Sequence, residues 1–207
     1  MNPVYRRAKF LLAVQHIKQL PDNIICEVGF AGRSNAGKSS SINTITGIHS
    51  LARTSKTPGR TQQIVYFTLD DEKAIVDLPG YGFAKVPPSV KKHWHELMEG
   101  YFTDRKPLKG LILVMDIRHP LKEFDEKMLA WCEHSKTPAH ILLTKSDKLS
   151  NGAAKSAMLQ VKKLLKEMDF KDVSVQTFSS LKRTGSETVL AKMDEWLEYP
   201  ASNKQGE

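Results

Sequence analysis

The sequence predicts an α/β fold in which helices cover both faces of a mostly parallel, six-stranded sheet that contains one antiparallel strand. Two observations lead to this prediction. Short apolar runs of strand length alternate with stretches of helical periodicity, a pattern typical of parallel sheets with crossover helices. Two of the runs are separated by three acidic residues only, which indicates one antiparallel hairpin within the sheet.

Each element is predicted from a local pattern. Apolar residues at three- to four-residue spacing between Pro3 and Leu20 predict an N-terminal helix over 3–19. The hairpin strands are predicted at 64–69 and 73–77. The other strands are predicted at 24–30, 111–116, 140–144 and 173–178. One helix is predicted to begin near Lys38, and four more are predicted at about 89–104, 123–135, 152–168 and 186–198.

The length and the polarity of the two ends predict the domain organisation. A chain of 207 residues is long enough for one domain with a sizeable core. We expect an N-terminal helical extension over 1–22 that packs on the domain, a single domain over 23–199, and a flexible tail over 200–207.

The charge balance bears on partners and location. The chain carries 31 Lys and Arg against 23 Asp and Glu, a net charge of +8, which favours polyanions such as RNA. No apolar run exceeds five residues, whereas a membrane-spanning helix needs about 20. The two cysteines, Cys26 and Cys132, form no metal-binding or redox motif. We therefore expect a cytoplasmic protein with reduced thiols and no membrane partner.

The strongest motif follows the first long apolar strand. Gly32–Ser39 reads GRSNAGKS and matches the phosphate-loop pattern in its required setting between a strand and a helix. Gly32 and Gly37 allow backbone N–H groups to converge on phosphate oxygens, and the helix start adds the positive end of its dipole. Lys38 is expected to contact the outer phosphates and Ser39 to bind Mg²⁺.

A second phosphate-binding motif follows the hairpin. Asp77 ends a buried strand and is followed by Leu78, Pro79 and Gly80. We expect Asp77 to hold Mg²⁺ through water and the Gly80 N–H to meet the terminal phosphate. This motif alone is weak because Pro-Gly is also an ordinary turn, but its position after the phosphate loop makes it specific.

The segment between the first two motifs is basic and rich in threonine. Residues 52–63 read ARTSKTPGRTQQ and contain no acid. Too little of this segment is apolar for it to order itself, so ordering by a bound nucleotide is expected, as in a switch segment. Thr61 is the predicted Mg²⁺ and phosphate ligand, with Thr57 as the alternative.

Two further loops indicate the base. Thr144-Lys145-Ser146-Asp147 follows a buried strand, and a carboxylate at Asp147 can accept from the N1–H and the 2-amino group of guanine together. Adenine would leave that charge unpaired. The stem of Lys145 would lie over the base, while Phe178-Ser179-Ser180 would offer hydrogen bonds to the guanine O6.

Taken together, the motifs GRSNAGKSS, TSKTPGRTQ, DLPGYG, DIRHP, TKSD and FSS resemble those of the EngB family of bacterial GTPases, over about residues 5–198. The resemblance implies a Ras-like fold and Mg²⁺-dependent hydrolysis of GTP to GDP. It also implies a monomer that takes part in assembly of the large ribosomal subunit and contacts its rRNA, with an effect on cell division and septation.

The resemblance also implies a set of site residues. Ser39 and Thr61 would be the Mg²⁺ ligands. The nucleotide contacts carried over by position are Gly32, Arg33, Ser34, Asn35, Ala36, Gly37, Lys38, Ser39, Gly59, Arg60, Thr61, Gln62, Gln63, Asp77, Leu78, Pro79, Gly80, Thr144, Lys145, Ser146, Asp147, Phe178, Ser179 and Ser180. TKSD differs from the general N-K-x-D pattern, since Thr144 can bond locally but lacks the reach of an asparagine amide.

The prediction about catalysis starts from the absence of a water-orienting glutamine. Ras-like enzymes place a water-orienting Gln directly after D-x-x-G, where this chain has Tyr81. We expect slow intrinsic turnover, on the order of 10⁻⁴ s⁻¹, supported by Lys38, Thr61 and Gly80. Asn35 is the candidate to hold a K⁺ ion that supplies the charge of an arginine finger.

Basic residues around the switch segments predict the partner surface. Arg53, Lys56 and Arg60 belong to the first switch segment (52–63), and Lys85, Lys91 and Lys92 follow a second switch segment that begins after Gly80. Together these six residues would form an rRNA-binding surface that changes with the nucleotide, called the switch surface below. A separate run over 162–166 is interpreted as the solvated face of a helix. Two other functions stay open at this point: a P-loop ATPase or small-molecule kinase, and an RNA-binding module in which the nucleotide regulates without turnover.

Overall fold

Seven strands form one sheet in the computed structural model, which describes residues 2–53, 63–81 and 87–200. The strand order is β1-β3-β4-β2-β5-β6-β7. The strands are β1 (Lys9–Val14), β2 (Cys26–Gly32), β3 (Ile64–Thr68), β4 (Lys73–Asp77), β5 (Leu108–Asp116), β6 (Ala139–Thr144) and β7 (Val173–Thr177). Strand β3 runs antiparallel to both of its neighbours, and the other pairs are parallel. The predicted parallel sheet with one antiparallel strand is confirmed, with one strand more than expected.

Five α-helices flank this sheet in the described part of the chain. They are α1 (Lys38–Thr46), α2 (Pro88–Asp104), α3 (Glu123–Ser135), α4 (Asn151–Glu167) and α5 (Ser186–Trp196). Helices α2, α3 and α4 pack into one apolar core on one face, while α1 and α5 pack into a second core on the other. The prediction of helices on both faces is therefore confirmed. None of the helices described is both long and apolar enough to cross a membrane.

The predicted N-terminal helix over 3–19 is wrong. The segment forms a short 3₁₀ helix at Pro3–Arg7, strand β1, and a second 3₁₀ turn at Ile17–Gln19. Strand β1 pairs with β3 from Lys9 opposite Thr68 to Val14 opposite Ile64, so these backbone groups satisfy the edge that β3 would otherwise expose. Sheet pairing outweighed the helical spacing of the apolar residues, and the segment contributes the seventh strand.

The two ends of the sheet have different chemistry. At the end where β2 begins, the fully buried carboxylate of Glu27 accepts hydrogen bonds from Arg105, Tyr66 and Tyr101. The loops that carry the sequence motifs leave the opposite end, after β2, β4, β6 and β7. Because ligands of open α/β sheets bind at the carboxyl ends of the strands, the fold gathers the motifs into one site.

Candidate functional site

The phosphate loop is shaped by backbone conformations that its sequence permits. A Cβ at Gly32 would lie 2.7 Å from the carbonyl oxygen of Val114, so β2 can end this close to β5 only with glycine. Asn35 and Gly37 have φ values of 62° and 101°, in the left-handed region that glycine and asparagine tolerate best. These two residues curl the chain into helix α1, whose first amides remain available to an anion.

The phosphate loop and the second motif meet through an ion pair. The Lys38 ammonium contacts the Asp77 carboxylate, and the two side chains are only 13% and 15% exposed. The contact follows from the sheet, because β2 and β4 are parallel neighbours with Phe30 opposite Asp77. The Asp77 carboxylate and the Ser39 hydroxyl offer oxygen ligands of the kind that Mg²⁺ prefers. The residues present therefore fit a magnesium ion.

The chain after β4 lies against the phosphate loop. The Leu78 amide donates to the Phe30 carbonyl at 2.9 Å, and the Ser34 amide donates to the Tyr81 carbonyl at 3.0 Å. Trp94 of α2 donates from its indole nitrogen to the Pro79 carbonyl at 3.2 Å. These bonds hold the backbone around half-buried Gly80 beside the phosphate loop.

The side chain of Tyr81 points into the core. Its hydroxyl donates to Oδ1 of Asp125 at 2.7 Å, and both residues are buried. Burial raises the pKa of the Tyr81 phenol well above its ordinary value, and it also raises the pKa of the Asp125 carboxyl. The hydroxyl is thus engaged at the start of α3, where Asp125 also accepts from the Lys122 amide at 2.9 Å. This geometry agrees with the expectation that Tyr81 does not orient the attacking water.

The loop after β6 is fastened to the phosphate loop. The Thr144 hydroxyl lies 2.5 Å from the Ala36 carbonyl oxygen and 3.0 Å from that of Met115. The next residue, Lys145, donates from its ammonium to the Asn35 carbonyl at 2.7 Å. The predicted base-binding segment therefore also supports the backbone expected to bind phosphate.

Asp147 is joined to the loop after β7. Its Oδ1 accepts a hydrogen bond of 2.6 Å from the hydroxyl of fully buried Ser179, and this bond lowers the pKa of the Asp147 carboxyl. The Ser146 amide donates to the Phe178 carbonyl at 3.2 Å, and Ser180 follows half-buried. The two loops predicted to contact guanine are thus adjacent, with an ionised carboxylate between them.

Asp116 is a site residue that sequence reasoning did not assign. It ends β5 directly opposite Thr144 of β6 and binds the Arg118 guanidinium with distances of 2.9 and 2.6 Å. Its Oδ2 also lies 3.0 Å from the Lys145 ammonium. The hydrogen bonds from Arg118 and Lys145 hold the pKa of the Asp116 carboxyl well below its usual range. Its position, an acid at the end of a strand beside β6, could have indicated a place in the site. In the sequence analysis, however, the DIRHP motif served only to identify the family.

Part of the predicted site lies outside the described residues. These residues are Lys56, Thr57, Gly59, Arg60, Thr61, Gln62 and Lys85. Gln63 lies half-buried just before β3, and Arg53, Lys91 and Lys92 are exposed. The roles predicted for these side chains stay predictions.

Comparison with known proteins identifies the family of this chain. The model of the family described as "50S ribosome-binding GTPase" matches residues 27–145. A protein of Coxiella burnetii (strain RSA 331 / Henzerling II), named "Probable GTP-binding protein EngB", is 52% identical over 195 residues, which are 94% of this chain and 95% of that protein. The protein of the same name from Methylococcus capsulatus (Bath) is 48% identical over 197 residues, 95% of this chain and 94% of that protein.

Solved structures support the fold. A crystal structure of "a probable GTP-binding protein engB" matches with a TM-score of 0.66 and 22% identity over 84% of this chain and all of that chain. The translation elongation factor SelB of Methanococcus maripaludis, in its apo form, matches with a TM-score of 0.58 and 17% identity over 84% of this chain and 33% of that chain. The EngB resemblance and the Ras-like P-loop fold predicted from the motifs are confirmed. With a family model that covers more than half of its residues, this chain belongs to the 50S ribosome-binding GTPase family.

Proposed function

We propose that the protein hydrolyses GTP to GDP with Mg²⁺ and serves as an assembly factor for the large ribosomal subunit. It would act as a cytoplasmic monomer, and normal cell division and septation would depend on it through ribosome supply. The observation that carries the proposal is the convergence of two contacts at one end of the sheet, Lys38 with Asp77 and Asp147 with Ser179. The first suits a magnesium-bound triphosphate, and the second suits guanine.

Base selection would come from Asp147. Guanine presents two adjacent donors that a carboxylate can accept together, whereas adenine presents a lone pair and would leave the charge unpaired. Because the Ser179 hydroxyl donates to Oδ1, the carboxylate is held in place before the nucleotide arrives. This arrangement favours GTP over ATP and argues against the alternative of an ATPase or small-molecule kinase.

Phosphate binding and hydrolysis would use the other half of the site. Lys38, the α1 amides and the Gly80 N–H would stabilise charge on the phosphates as water attacks the γ-phosphorus and the bond to the β-phosphate oxygen breaks. Mg²⁺, held by Ser39, Thr61 and, through water, Asp77, would neutralise phosphate charge when bound. Since the Tyr81 hydroxyl is engaged by Asp125, no group at that position activates the water, and turnover would be slow.

Asn35 is the proposed site of a K⁺ ion beside the phosphates. The residue is exposed, and its left-handed backbone is held by the Lys145 ammonium on its carbonyl oxygen. The side-chain amide at this position would supply an oxygen ligand to the cation. Single-turnover hydrolysis in KCl should exceed that in NaCl at equal ionic strength, and the difference should vanish in Asn35→Ala. Equal rates in the two salts would exclude the K⁺ role.

Ribosome binding is supported by the family and by charge. The matching family model is described as ribosome-binding, and the chain carries a net charge of +8. Arg53 is exposed where the first switch segment begins, and Lys91 and Lys92 are exposed on the first turns of α2 after the second. Because Asp77 and Gly80, which lie between the two segments in sequence, belong to the proposed phosphate site, rRNA contacts there would depend on the bound nucleotide.

Co-sedimentation with purified ribosomal subunits tests the proposal. We expect the protein to sediment with the large subunit more strongly with a non-hydrolysable GTP analogue than with GDP, and not with the small subunit. Asp147→Asn is the matched control, since it should lose the nucleotide response while keeping the basic surface. Failure to sediment with either subunit in any nucleotide state would refute the assembly role, and GTP and ATP competing equally for the site would refute the GTPase assignment.

A further inference from the structure

Helix α4 carries three of its four lysines on one flank. At about 100° per residue, Lys155, Lys162 and Lys166 fall within about 40° of one another, and Lys163 lies about 60° further round. All four are exposed. We call Lys155, Lys162 and Lys166 the lysine flank. From Lys155 to Lys166 it extends about 16 Å along the helix, at about 1.5 Å per residue.

The other sides of α4 differ from the lysine flank in composition. Ala154, Val161 and Leu165 face the apolar core. The second exposed flank carries Ser156, Gln160 and Glu167, with Lys163 at its border. Three of the four lysines of α4 thus lie along one side of its exposed surface, and that side carries no acidic residue.

Little of this charge is neutralised within the protein. Glu167 lies 3.7 Å from the Lys163 ammonium. Across the described ranges 2–53, 63–81 and 87–200, Lys155, Lys162 and Lys166 form no ion pair with an acidic side chain. A row of uncompensated cations along a rigid helix suits a ligand with regularly repeated negative charge.

We propose that the lysine flank binds the phosphate backbone of ribosomal RNA, as a second contact besides the switch surface. This inference rests on the proposed role at the ribosome and extends it. The flank belongs to a regular helix that packs on β7, outside the loops that would hold the nucleotide. Its contribution should therefore be the same with GDP and with GTP, whereas that of the switch surface should change.

RNA fits the flank better than a membrane or a protein does. The apolar residues of α4 are used against the core, and among the lysines only Leu159 is apolar and exposed, at 53%. An interfacial membrane helix needs a whole apolar face, and protein interfaces are depleted of lysine at their centres. Phosphate contacts from lysine are instead the main source of nucleic-acid affinity.

Salt dependence of RNA binding provides the test. The variant Lys155→Gln/Lys162→Gln/Lys166→Gln removes three charges without breaking the helix. The matched control, Lys18→Gln/Lys106→Gln/Lys109→Gln, removes three exposed charges elsewhere. Affinity for protein-free large-subunit rRNA is measured over a KCl series with GDP and with a non-hydrolysable GTP analogue. The slope of log affinity against log salt should decrease in magnitude by about 2 to 3 in the α4 variant, with both nucleotides. This value corresponds to three lost phosphate contacts at about 0.7–0.9 each. The slope should change by less than about 1 in the control.

The alternative outcomes separate the two proposals. Suppose that the wild type binds rRNA. If the slope for the α4 variant is unchanged, or if the slopes of both triple variants become shallower by the same amount, the lysine flank is not a docking surface, while the proposed function stands. If the wild type binds neither rRNA nor large subunits, both the inference and the proposed assembly role fail. Loss of binding to phosphatidylglycerol vesicles without any effect on rRNA would assign the flank to membranes and overturn the inference. Unchanged urea midpoints and GTP affinity establish that the variants are folded.

Discussion

The buried ion pair of Glu27 gives the strongest stability prediction. The carboxylate is fully buried and accepts from Arg105 Nε at 3.1 Å and Nη2 at 2.8 Å, as well as from the Tyr101 hydroxyl at 2.6 Å. The Arg105 side chain is 9% exposed. Arg105→Met keeps most of the packing but leaves the carboxylate without its counter-charge. Breaking a buried pair in this way lowers the free energy of unfolding by about 3–5 kcal/mol.

That loss is a large part of the about 5–15 kcal/mol that stabilises an ordinary domain. With a urea m-value of about 2 kcal/mol/M, the midpoint should fall by about 1.5–2.5 M, as measured by circular dichroism during urea unfolding. Arg118→Met is the matched control, because Arg118 binds Asp116 with a similar two-point geometry of 2.9 and 2.6 Å but is 44% exposed. Water can replace that partner, so its midpoint should hardly move.

A second variant separates buried charge from lost packing. Glu27→Gln in the Arg105→Met background should recover part of the stability, because a neutral amide is less costly to bury than a carboxylate. Similar midpoints for Arg105→Met and Arg118→Met would refute the reasoning. So would a double variant less stable than Arg105→Met alone, since packing rather than uncompensated charge would then explain the loss.

Three further predictions concern other polar groups. Asp147→Asn should weaken GTP and GDP binding about 100-fold or more in titrations with fluorescent nucleotide, and unchanged affinity would contradict the guanine assignment. Tyr81→Phe should lower the free energy of unfolding by about 1.5–3 kcal/mol, because it removes the hydrogen bond to Asp125. The rate of single-turnover GTP hydrolysis should stay within about threefold of the wild-type rate. A tenfold lower rate would mean that the phenol acts in catalysis. Burial lowers the pKa of His140, so below about pH 6.5 the unfolded chain binds a proton that the folded chain does not, and stability falls as pH falls. His140→Gln should lose less stability than the wild type between pH 7.5 and 5.5, and equal losses would rule out this origin.

The central sheet was predictable because burial leaves a simple pattern. Strand β4 was predicted at 73–77 and is observed at Lys73–Asp77, since strands buried on both faces read as continuous apolar runs. The N-terminal segment was not predictable in this way. Strand β1 lies at the edge, where Phe10 remains 62% exposed and Leu11 36% exposed, so its apolar residues do not report which side is buried. Its identity as a strand depends on β3, a partner whose paired residues lie 50 to 59 positions further along the sequence.

In the site, too, features encoded by local sequence could be predicted, and contacts between distant loops could not. The curl of the phosphate loop is encoded locally, because Gly32 and Gly37 are the residues that its close approach and its left-handed backbone require. Contacts between loops are not encoded locally. The pairing of Lys38 with Asp77 could be inferred only after both motifs had been placed on neighbouring parallel strands. The contact of Asp116 with Lys145 belongs to no local pattern and became visible only through the register of β5 and β6.

Thr144 shows what the departure from N-K-x-D achieves. Its short side chain reaches the carbonyl oxygens of Met115 and Ala36, so it ties β6 to β5 and to the phosphate loop. The ammonium of Lys145 adds a second tie at Asn35, and Asp116 holds that ammonium. Because the loop expected to read the base bonds directly to the loop expected to bind phosphate, a displacement of one must disturb the other. The loop predicted to read the base and the loop predicted to bind phosphate are therefore tied together directly, by the Thr144 hydroxyl and the Lys145 ammonium.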